Sequence, residues 1–310
     1  MIEDVSFKVE KGGDRLDAAL LRRFPATTRA FCREACSAGE VLVDGRHAIK
    51  GLKLRGGETI LVKSLAEASD NCVRPDPSVL VDCVFSDDSI LAFNKPVGLP
   101  VQPLTRHETG TLANGVAARW PETIPLGDRP LMAGAIHRID ADTSGLVLFA
   151  RTAVAFDALR AQFSAQTVRK TYLALVEGAV AVGGTLENDL VHDPSVPYCR
   201  MVDVRHARTS DPGTPLHAVT QFKPIGRTMC GNEERTLLEV TIFTGVTHQI
   251  RAQLAFAGMH IVNDRIYGAF AVENMQGHAL HALAASFTHP ISSVPMEIRT
   301  PYPSWAVLDS

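Results

Sequence analysis

Apolar residues in the first sixty positions follow two different periods. Leucine, alanine and phenylalanine recur at helical spacing from Asp14 to Phe24, with Asp14 as the expected N-cap. The same spacing predicts a second helix from Thr28 to Ala38, which ends at Gly39. After it, EVLVDGRHAI alternates apolar and polar residues around an Asp-Gly pair, a pattern that is typical of a β-hairpin. With one more apolar strand ending near Val62, the pattern predicts a compact helix-helix-hairpin unit.

The pattern changes after residue 63. Residues 64–79 are polar, contain two prolines and follow neither period, so they are predicted to form a linker. Residues 80–310 contain many short apolar runs, such as SGLVLFAR and RTLLEVTIFTG, and AVAFDALRAQFSAQ is the clearest helical pattern. Because strands outnumber helices without strict alternation, we expect an α+β fold. Residues 1–63 would form the small unit, and residues 80–310 a larger domain with a mixed, mostly antiparallel sheet.

Composition limits the class of protein that the chain can be. The chain has 310 residues, of which 45% are hydrophobic, enough to build a substantial core. Its first residues lack the pattern of a signal peptide and no apolar run approaches bilayer length, so we expect a cytoplasmic protein without a membrane partner. Six scattered cysteines lack zinc-ligand spacing, so reduced thiols and no metal are expected.

The distribution of charge is more informative than its sum. The net charge of -3 does not favour a nucleic-acid partner by itself. Residues 1–63, however, hold 12 lysines and arginines against 9 acidic residues, whereas the rest of the chain holds 19 against 25. The small unit is therefore the basic part of the chain. Arg29 and Arg33 lie four apart on the predicted exposed face of its second helix, where a merely solvated charged face is the plainer interpretation.

The stretch AIHRIDADTSGLVLFAR, residues 135–151, carries the first candidate chemistry. Residues up to Ile139 and from Gly145 onward are predicted strands, which places Asp140 at a strand end where a side chain is fixed yet reachable. Asp142 is followed by Thr-Ser-Gly and is predicted to shape the turn. A kinase loop would need a glycine-rich phosphate loop and a DFG site, which the chain lacks. Glycosidase chemistry would need a second carboxylate that the sequence does not single out.

Four other residues stand out, and three of them have a plainer alternative. Arg251 falls in the first turn of a helix predicted to be capped by Thr247, where the helix dipole disfavours a cation unless a carboxylate offsets the cost. A simple surface arginine is an equal alternative. Tyr172 lies on a predicted strand, where a core role is the commoner one. His248, three residues before Arg251, is expected to be structural. Lys95, in NKPVGLPVQP, could face a phosphate.

Two resemblances unite these features. The segment from RLDAALLRR to GGETILV resembles the RNA-binding domain named after ribosomal protein S-four, which implies RNA contacts by Arg29 and Arg33. The rest resembles the RluA-type pseudouridine synthase family. The matching motifs, which span residues 87–290, are DDSILAFNKPVGLPVQP, HRIDADTSG, RKTYLALVEG, TGVTHQIR, NDRIYG and ALHALAASFTHP. One departure is Val246, which stands where that family usually has an arginine.

The second resemblance implies an isomerase that detaches a uracil base from its ribose in RNA, turns it and reattaches it through carbon 5. It implies Asp140 as the catalytic residue, attacking either the sugar or the base, with Arg251 as its ionic partner and Tyr172 packed against the base. Arg138 would fill the gap left by the flipped base or hold a phosphate. No cofactor or metal is implied, and a monomer is expected.

The RNA substrate follows only by analogy with the family. Large-subunit ribosomal RNA is the expected substrate, and transfer RNA is the alternative. A second alternative, from another functional class, is a non-catalytic RNA-binding or ribosome-assembly factor built on the same scaffold.

Overall fold

The computed structural model describes residues 1–49, 51–193, 200–207, 213–230 and 233–306. Contacts divide the chain into two compact units, Met1–Cys72 and Val73–Ser310. In the described residues, no helix combines the length and the apolar character needed to cross a bilayer.

The first unit packs two helices on a four-stranded antiparallel sheet. Its elements are β1 (Ile2–Lys8), α1 (Leu16–Arg23), α2 (Arg29–Ser37), β2 (Val41–Val43), β3 (Arg46–His47) and β4 (Thr59–Leu65), and the strand order is β1-β4-β2-β3. The apolar faces of the helices, including Leu16, Leu20 and Phe31, pack against Ile60 and Val62 of β4. Strand β1 was not predicted.

Local signals determine the ends of these elements, with one correction. Helix α2 begins as predicted, since the Thr28 hydroxyl accepts a hydrogen bond from the Phe31 amide at 3.2 Å. The hairpin turn has positive φ at both Asp44 and Gly45, the conformation that an Asp-Gly turn favours. The predicted cap of α1 was wrong: its N-cap is Arg15, and the Asp14 carboxylate instead pairs with Arg22 one helix length away.

The segment predicted as a linker carries structure at both ends. Residues 64 and 65 complete β4, and Leu65 and Ala66 are buried in the core of the first unit. A short 3-10 turn follows at Ala68–Asp70. Val73 belongs to the core of the second unit. Polar composition hid these buried positions.

The second unit is built on one large mixed sheet. Its strands are β5 (Cys83–Ser86), β6 (Ile90–Lys95), β7 (Ser144–Ala150), β8 (Arg169–Glu177), β9 (Gly184–His192), β10 (Met201–Asp203), β11 (Leu216–Cys230), β12 (Glu233–Ile242), β13 (Leu280–Thr288) and β14 (Pro295–Arg299). Its helices are α3 (Leu112–Arg119), α4 (Ala153–Ser164) and α5 (Gln249–Phe256). The strand order is β10-β9-β11-β12-β8-β13-β7-β6-β5, with β14 beside β13. All described strand pairs are antiparallel except β7 with β13, which confirms the predicted α+β class.

Strand β7 lies at the centre of the core and is buried along its whole length. Side chains that alternate along it enter two clusters: Leu148 packs with Phe156 and Leu159 of α4, whereas Phe149 packs with Phe93 at a centroid distance of 5.4 Å. Gly145 has φ +107°, and a Cβ there would lie 2.2 Å from the carbonyl oxygen of Ala282. Only glycine therefore allows β13 to approach the start of β7, directly after the Asp140 loop.

Candidate active site

Asp140 lies beside a cleft of about 640 Å³ in the second unit. The residues before it, 135–139, do not form the predicted strand; they run as an irregular segment, buried at Ala135 and Ile136, with a single bridge from Ala135 to Phe149. Asp140 therefore begins a turn rather than ending a strand. The turn is closed by a hydrogen bond of 3.1 Å from the Thr143 amide to the Asp140 carbonyl, and Asp142 lies exposed within it. Apolar composition suggested a strand where the backbone is irregular.

The side chain of Lys95 binds the backbone of this turn. Its ammonium donates to the carbonyl oxygens of Pro96 and Ala141, each at 2.8 Å, and the Gly98 amide also donates to Ala141 at 2.9 Å. The lysine is fully buried, and burial lowers its pKa to about 8. The structure does not support the predicted phosphate contact by Lys95, because its buried ammonium donates to two backbone carbonyl oxygens. The two bonds tie the turn after Asp140 to the end of β6.

Arg251 joins two carboxylates. Its Nε and Nη2 atoms donate to Oδ2 and Oδ1 of Asp264 at 2.7 and 2.8 Å, and its Nη1 donates to Asp140 Oδ2 at 2.7 Å. Arg251 and Asp264 are almost completely buried. A cation in the first turn of α5 is thus offset by two anions, which resolves the unfavourable placement noted from the sequence. Asp264 was missed as a partner because it is close to Arg251 only in the folded chain.

The start of α5 differs from the prediction. Its N-cap is His248 rather than Thr247, and His248 adopts the left-handed conformation with φ 53°. Its Nε2 atom lies 3.6 Å from Asp140 Oδ2, and its Nδ1 atom lies 3.1 Å from the Tyr267 hydroxyl. The ring of Tyr267 also lies below the Arg251 guanidinium, 5.2 Å from Cζ to the ring centroid. His248, expected to be only structural, therefore borders the candidate carboxylate.

The surrounding charges keep Asp140 ionised. Burial on its own would raise the pKa of Asp140, but the charge of His248, whenever that ring is protonated, and the charge and hydrogen bond of Arg251 outweigh it, so that pKa lies below its ordinary value. Burial also lowers the pKa of His248, so this imidazole is mostly neutral at neutral pH. Arg251 is thus the permanent positive charge beside the carboxylate. An ionised carboxylate in a cleft is a candidate nucleophile.

Tyr172 and Lys170 form part of the cleft wall. They lie two residues apart on β8, so their side chains project from the same face. Tyr172 is buried; this burial, and then the Asp140 charge, raise its pKa, so the phenol stays protonated. The Lys170 ammonium donates to the Thr244 carbonyl at 2.7 Å and lies 5.5 Å from the ring centroid of Phe163. Lys170 was not singled out from the sequence.

The predicted site residues fall into three groups. Asp140, Tyr172, Arg251 and Arg138 line the same cleft, and Arg138 is exposed there. Lys95 lies beneath the turn, outside the cleft lining. Arg29 and Arg33 belong to the first unit, where both are exposed on α2. Arg29 faces Asp17, with 3.9 Å between Nε and Oδ2.

The described cysteines are thiols. Cys32 and Cys36 are buried in the first unit, Cys72 is half-buried and Cys83 is exposed, and none forms a disulfide. Cys199 and the side chain of Cys230 lie outside the described residues. Within the described part of the chain, no group of three histidine, cysteine, aspartate or glutamate residues is arranged to hold a metal ion.

Comparison with known families settles the class of enzyme. The model of the RNA pseudouridylate synthase family matches residues 89–256, more than half of the chain and including Asp140, Tyr172 and Arg251. The chain belongs to this family. An S4 domain model matches residues 14–60. The predicted family, the pseudouridine-forming isomerase class and the amino-terminal RNA-binding domain are therefore confirmed.

Individual relatives agree over nearly the whole length. The chain is 34% identical over 304 residues to ribosomal large subunit pseudouridine synthase D of Xanthomonas campestris, covering 94% of this chain and 86% of that protein. It is 33% identical over 307 residues to the protein of the same name from Neisseria meningitidis serogroup B, covering 96% and 78%. Among solved structures, human RNA pseudouridylate synthase domain containing 1 has a TM-score of 0.60 at 21% identity, covering 76% of this chain and 89% of that one. The last likeness concerns the fold alone.

Proposed function

We propose that this enzyme converts a uridine of large-subunit ribosomal RNA to pseudouridine and that Asp140 is its catalytic nucleophile. The observation that carries the role of Asp140 is the buried Arg251 guanidinium, which holds its carboxylate ionised at the cleft. The choice of RNA is supported by the relatives in Xanthomonas and Neisseria, whose names specify the large ribosomal subunit. Transfer RNA is the alternative substrate.

The reaction is balanced without a further reagent. The bond from N1 of uracil to C1′ of ribose breaks, the base turns, and a bond forms from C5 to C1′. The C5 proton leaves and N1 takes a proton, so the composition of the RNA is unchanged. Asp140 would attack either the sugar or the base to form a covalent intermediate while the base turns. Arg251 lowers the energy of the ionised carboxylate that starts the reaction.

The target uridine must leave its stack to reach Asp140. We propose that it flips into the cleft, where the aromatic ring of Tyr172 forms a wall against the base. The cleft volume of about 640 Å³ is ample for one nucleotide. Arg138, exposed at the same cleft, would contact the gap or a phosphate. Arg29 and Arg33 of the S4 domain would bind the RNA backbone electrostatically.

The test is pseudouridine mapping of total RNA from a strain that lacks the gene. One uridine of the large-subunit RNA should lose its modification, and expression of the wild-type enzyme should restore it. Asp140→Asn should not restore it. The matched control is Asp142→Asn at an exposed position two residues away on the same turn, because asparagine removes the same charge and is equally compatible with a turn.

Each other outcome overturns a defined part of the proposal. Loss of modification in transfer RNA alone would make the substrate wrong. Unchanged pseudouridine in the deletion strain would favour a non-catalytic RNA-binding or ribosome-assembly role. Restoration by Asp140→Asn would remove Asp140 from the mechanism. A cytoplasmic location and a monomeric state stay predictions, to be measured by cell fractionation and by light scattering.

A further inference from the structure

The two oxygens of the Asp140 carboxylate are in different surroundings. Arg251 Nη1 donates to Oδ2 at 2.7 Å, and His248 Nε2 faces the same oxygen at 3.6 Å. Among the described residues, none donates a hydrogen bond to Oδ1. Arg251 therefore holds Oδ2, with His248 facing the same oxygen, and Oδ1 is available to a substrate.

The hydrogen-bond partners of the Tyr267 hydroxyl determine which ring nitrogen of His248 carries the proton. The backbone amide of Met201 donates to the Tyr267 hydroxyl oxygen at 2.9 Å. Because a backbone N–H can only donate, the hydroxyl oxygen must be the acceptor in this bond. The hydroxyl has one proton of its own, and its other partner among the residues that the structure describes is His248 Nδ1, at 3.1 Å. If Nδ1 carried a proton, the buried hydroxyl proton would be left without an acceptor, at considerable cost. The hydroxyl therefore donates to Nδ1.

With Nδ1 occupied as an acceptor, the proton of a neutral His248 is on Nε2, the atom that faces Asp140. We propose that His248 is a positioning residue whose tautomer is set by Tyr267, so that Nε2–H holds Asp140 Oδ2 and Oδ1 performs the attack. This inference rests on the proposed catalytic role of Asp140. At 3.6 Å the two atoms are just beyond hydrogen-bond distance, and we expect the contact to tighten in the complex with RNA, since catalytic hydrogen bonds are often long in the free enzyme.

The groups that face His248 are consistent with a neutral donor. Asp140 and Asp264 favour its charged form, whereas Arg251, His192 and above all burial oppose it. Burial prevails and lowers its pKa. A neutral imidazole has one N–H, so its direction depends on the tautomer. The left-handed backbone at His248 aims the ring at Asp140, although that conformation is strained for most residues.

Two substitutions separate positioning from a purely structural role. In His248→Gln the amide nitrogen reaches the place of Nε2, whereas in His248→Asn it reaches only the place of Nδ1. We expect His248→Gln to retain most of kcat and His248→Asn to lose about 10- to 100-fold, the effect of one hydrogen bond to a carboxylate. KM for large-subunit RNA should be unchanged in both. A structural role would predict the reverse order, because asparagine tolerates left-handed backbone better than glutamine.

The tautomer itself is measured by nitrogen-15 NMR of the full-length enzyme with labelled histidine. The His248 signals are identified by their loss in His248→Asn. The expected spectrum shows a proton on Nε2 and none on Nδ1, and Tyr267→Phe should shift the balance towards Nδ1 and lower kcat with KM retained. A proton on Nδ1 in the wild type, or a His248→Asn variant at least as active as His248→Gln, would overturn the proposal.

Asp140→Asn is assayed in parallel to keep the two hypotheses apart. If Asp140→Asn is inactive and the histidine variants rank in the wrong order, the inference about His248 fails and the proposed function survives. If Asp140→Asn is active, the proposed function fails, and the role given to His248 fails with it. Activity is followed by tritium release from RNA labelled at C5 of uridine, since this proton leaves in every turnover.

Discussion

Replacing Asp264 by asparagine should destabilise the protein more than the same change at Asp140, although both carboxylates bind Arg251. Asp264 accepts two charge-assisted hydrogen bonds, and its side chain is 1% exposed. Asp140 accepts one, and its side chain is 28% exposed. In Asp264→Asn, an NH2 group replaces one of the two oxygens that accept from Arg251. One buried guanidinium N–H then lacks an acceptor. In Asp140→Asn, Arg251 keeps its bidentate partner.

The magnitudes follow from burial. Removing one partner of a buried ion pair costs about 3–5 kcal/mol, whereas a partly exposed pair is worth about 0–1 kcal/mol. For a domain of this size each kcal/mol shifts Tm by roughly 2–4 °C. We therefore expect Asp264→Asn to lower Tm by roughly 6–20 °C and Asp140→Asn to change it by no more than about 4 °C.

Differential scanning calorimetry and the tritium-release assay measure the two effects on the same preparations. Asp140→Asn should abolish turnover with its fold intact, whereas Asp264→Asn should lose stability and, because Arg251 is no longer held in place, at least about tenfold in kcat. Equal shifts of Tm in the two variants would show that Asp264 is not the main counterion of Arg251. A fully active Asp264→Asn variant would contradict its part in the site.

Three further changes test the core, the buried lysines and the RNA contacts. Gly145→Ala should prevent folding to a stable protein, whereas Gly258→Ala, also at positive φ but with open space around its Cβ, should cost only about 1 kcal/mol, as read from urea unfolding. Burial lowers the pKa of Lys170 to about 8, so at higher pH the unfolded chain holds a proton that the folded chain has released, and stability rises with pH. Lys170→Met should reduce the rise in unfolding free energy between about pH 8 and about pH 10 by on the order of 1 kcal/mol. Substituting alanine for both Arg29 and Arg33 should weaken binding to large-subunit RNA and reduce the slope of log affinity against log salt by about 2.

Each of these changes has an outcome that would contradict its reasoning. A soluble, stable Gly145→Ala protein would mean that β13 can withdraw from β7. A stability profile of Lys170→Met parallel to that of the wild type would mean that the ammonium is hydrated. An unchanged salt slope in the arginine variant would locate the RNA contacts elsewhere; Lys8→Ala, an exposed position on β1, is its matched control.

Features encoded by neighbouring residues were predictable from the sequence. Helix α2, the Asp44-Gly45 turn and the strand that carries Tyr172 follow from local period, capping and turn chemistry. The pseudouridine synthase motifs also identified Asp140 and Arg251 as candidates, and the S4 motif identified Arg29 and Arg33.

Features that depend on distant residues were not predictable. Residues 135–139 alternate enough to predict a strand, but their contacts are irregular: the His137 ring accepts from the Leu148 amide, and Arg160 donates to the Ile136 carbonyl. Helix α5 begins at His248 in a strained conformation because Asp140 and Tyr267 surround its ring. Asp264 has no local signal of pairing with Arg251. In each case a contact between separated segments decided the structure, and periodicity carries no information about such contacts.

The long separations within this site have a consequence for protein synthesis. Asp140 and Arg251 are 111 residues apart, and the Ser144 hydroxyl meets His281 Nδ1, at 2.8 Å, across 137 residues. The turn that bears Asp140 therefore leaves the ribosome well before Arg251 and β13, which complete the site. A growing chain is surrounded by ribosomal RNA, yet it holds an unpaired carboxylate and no assembled cleft. We therefore expect activity only after Arg251 and β13, the strand that pairs with β7, have emerged and folded.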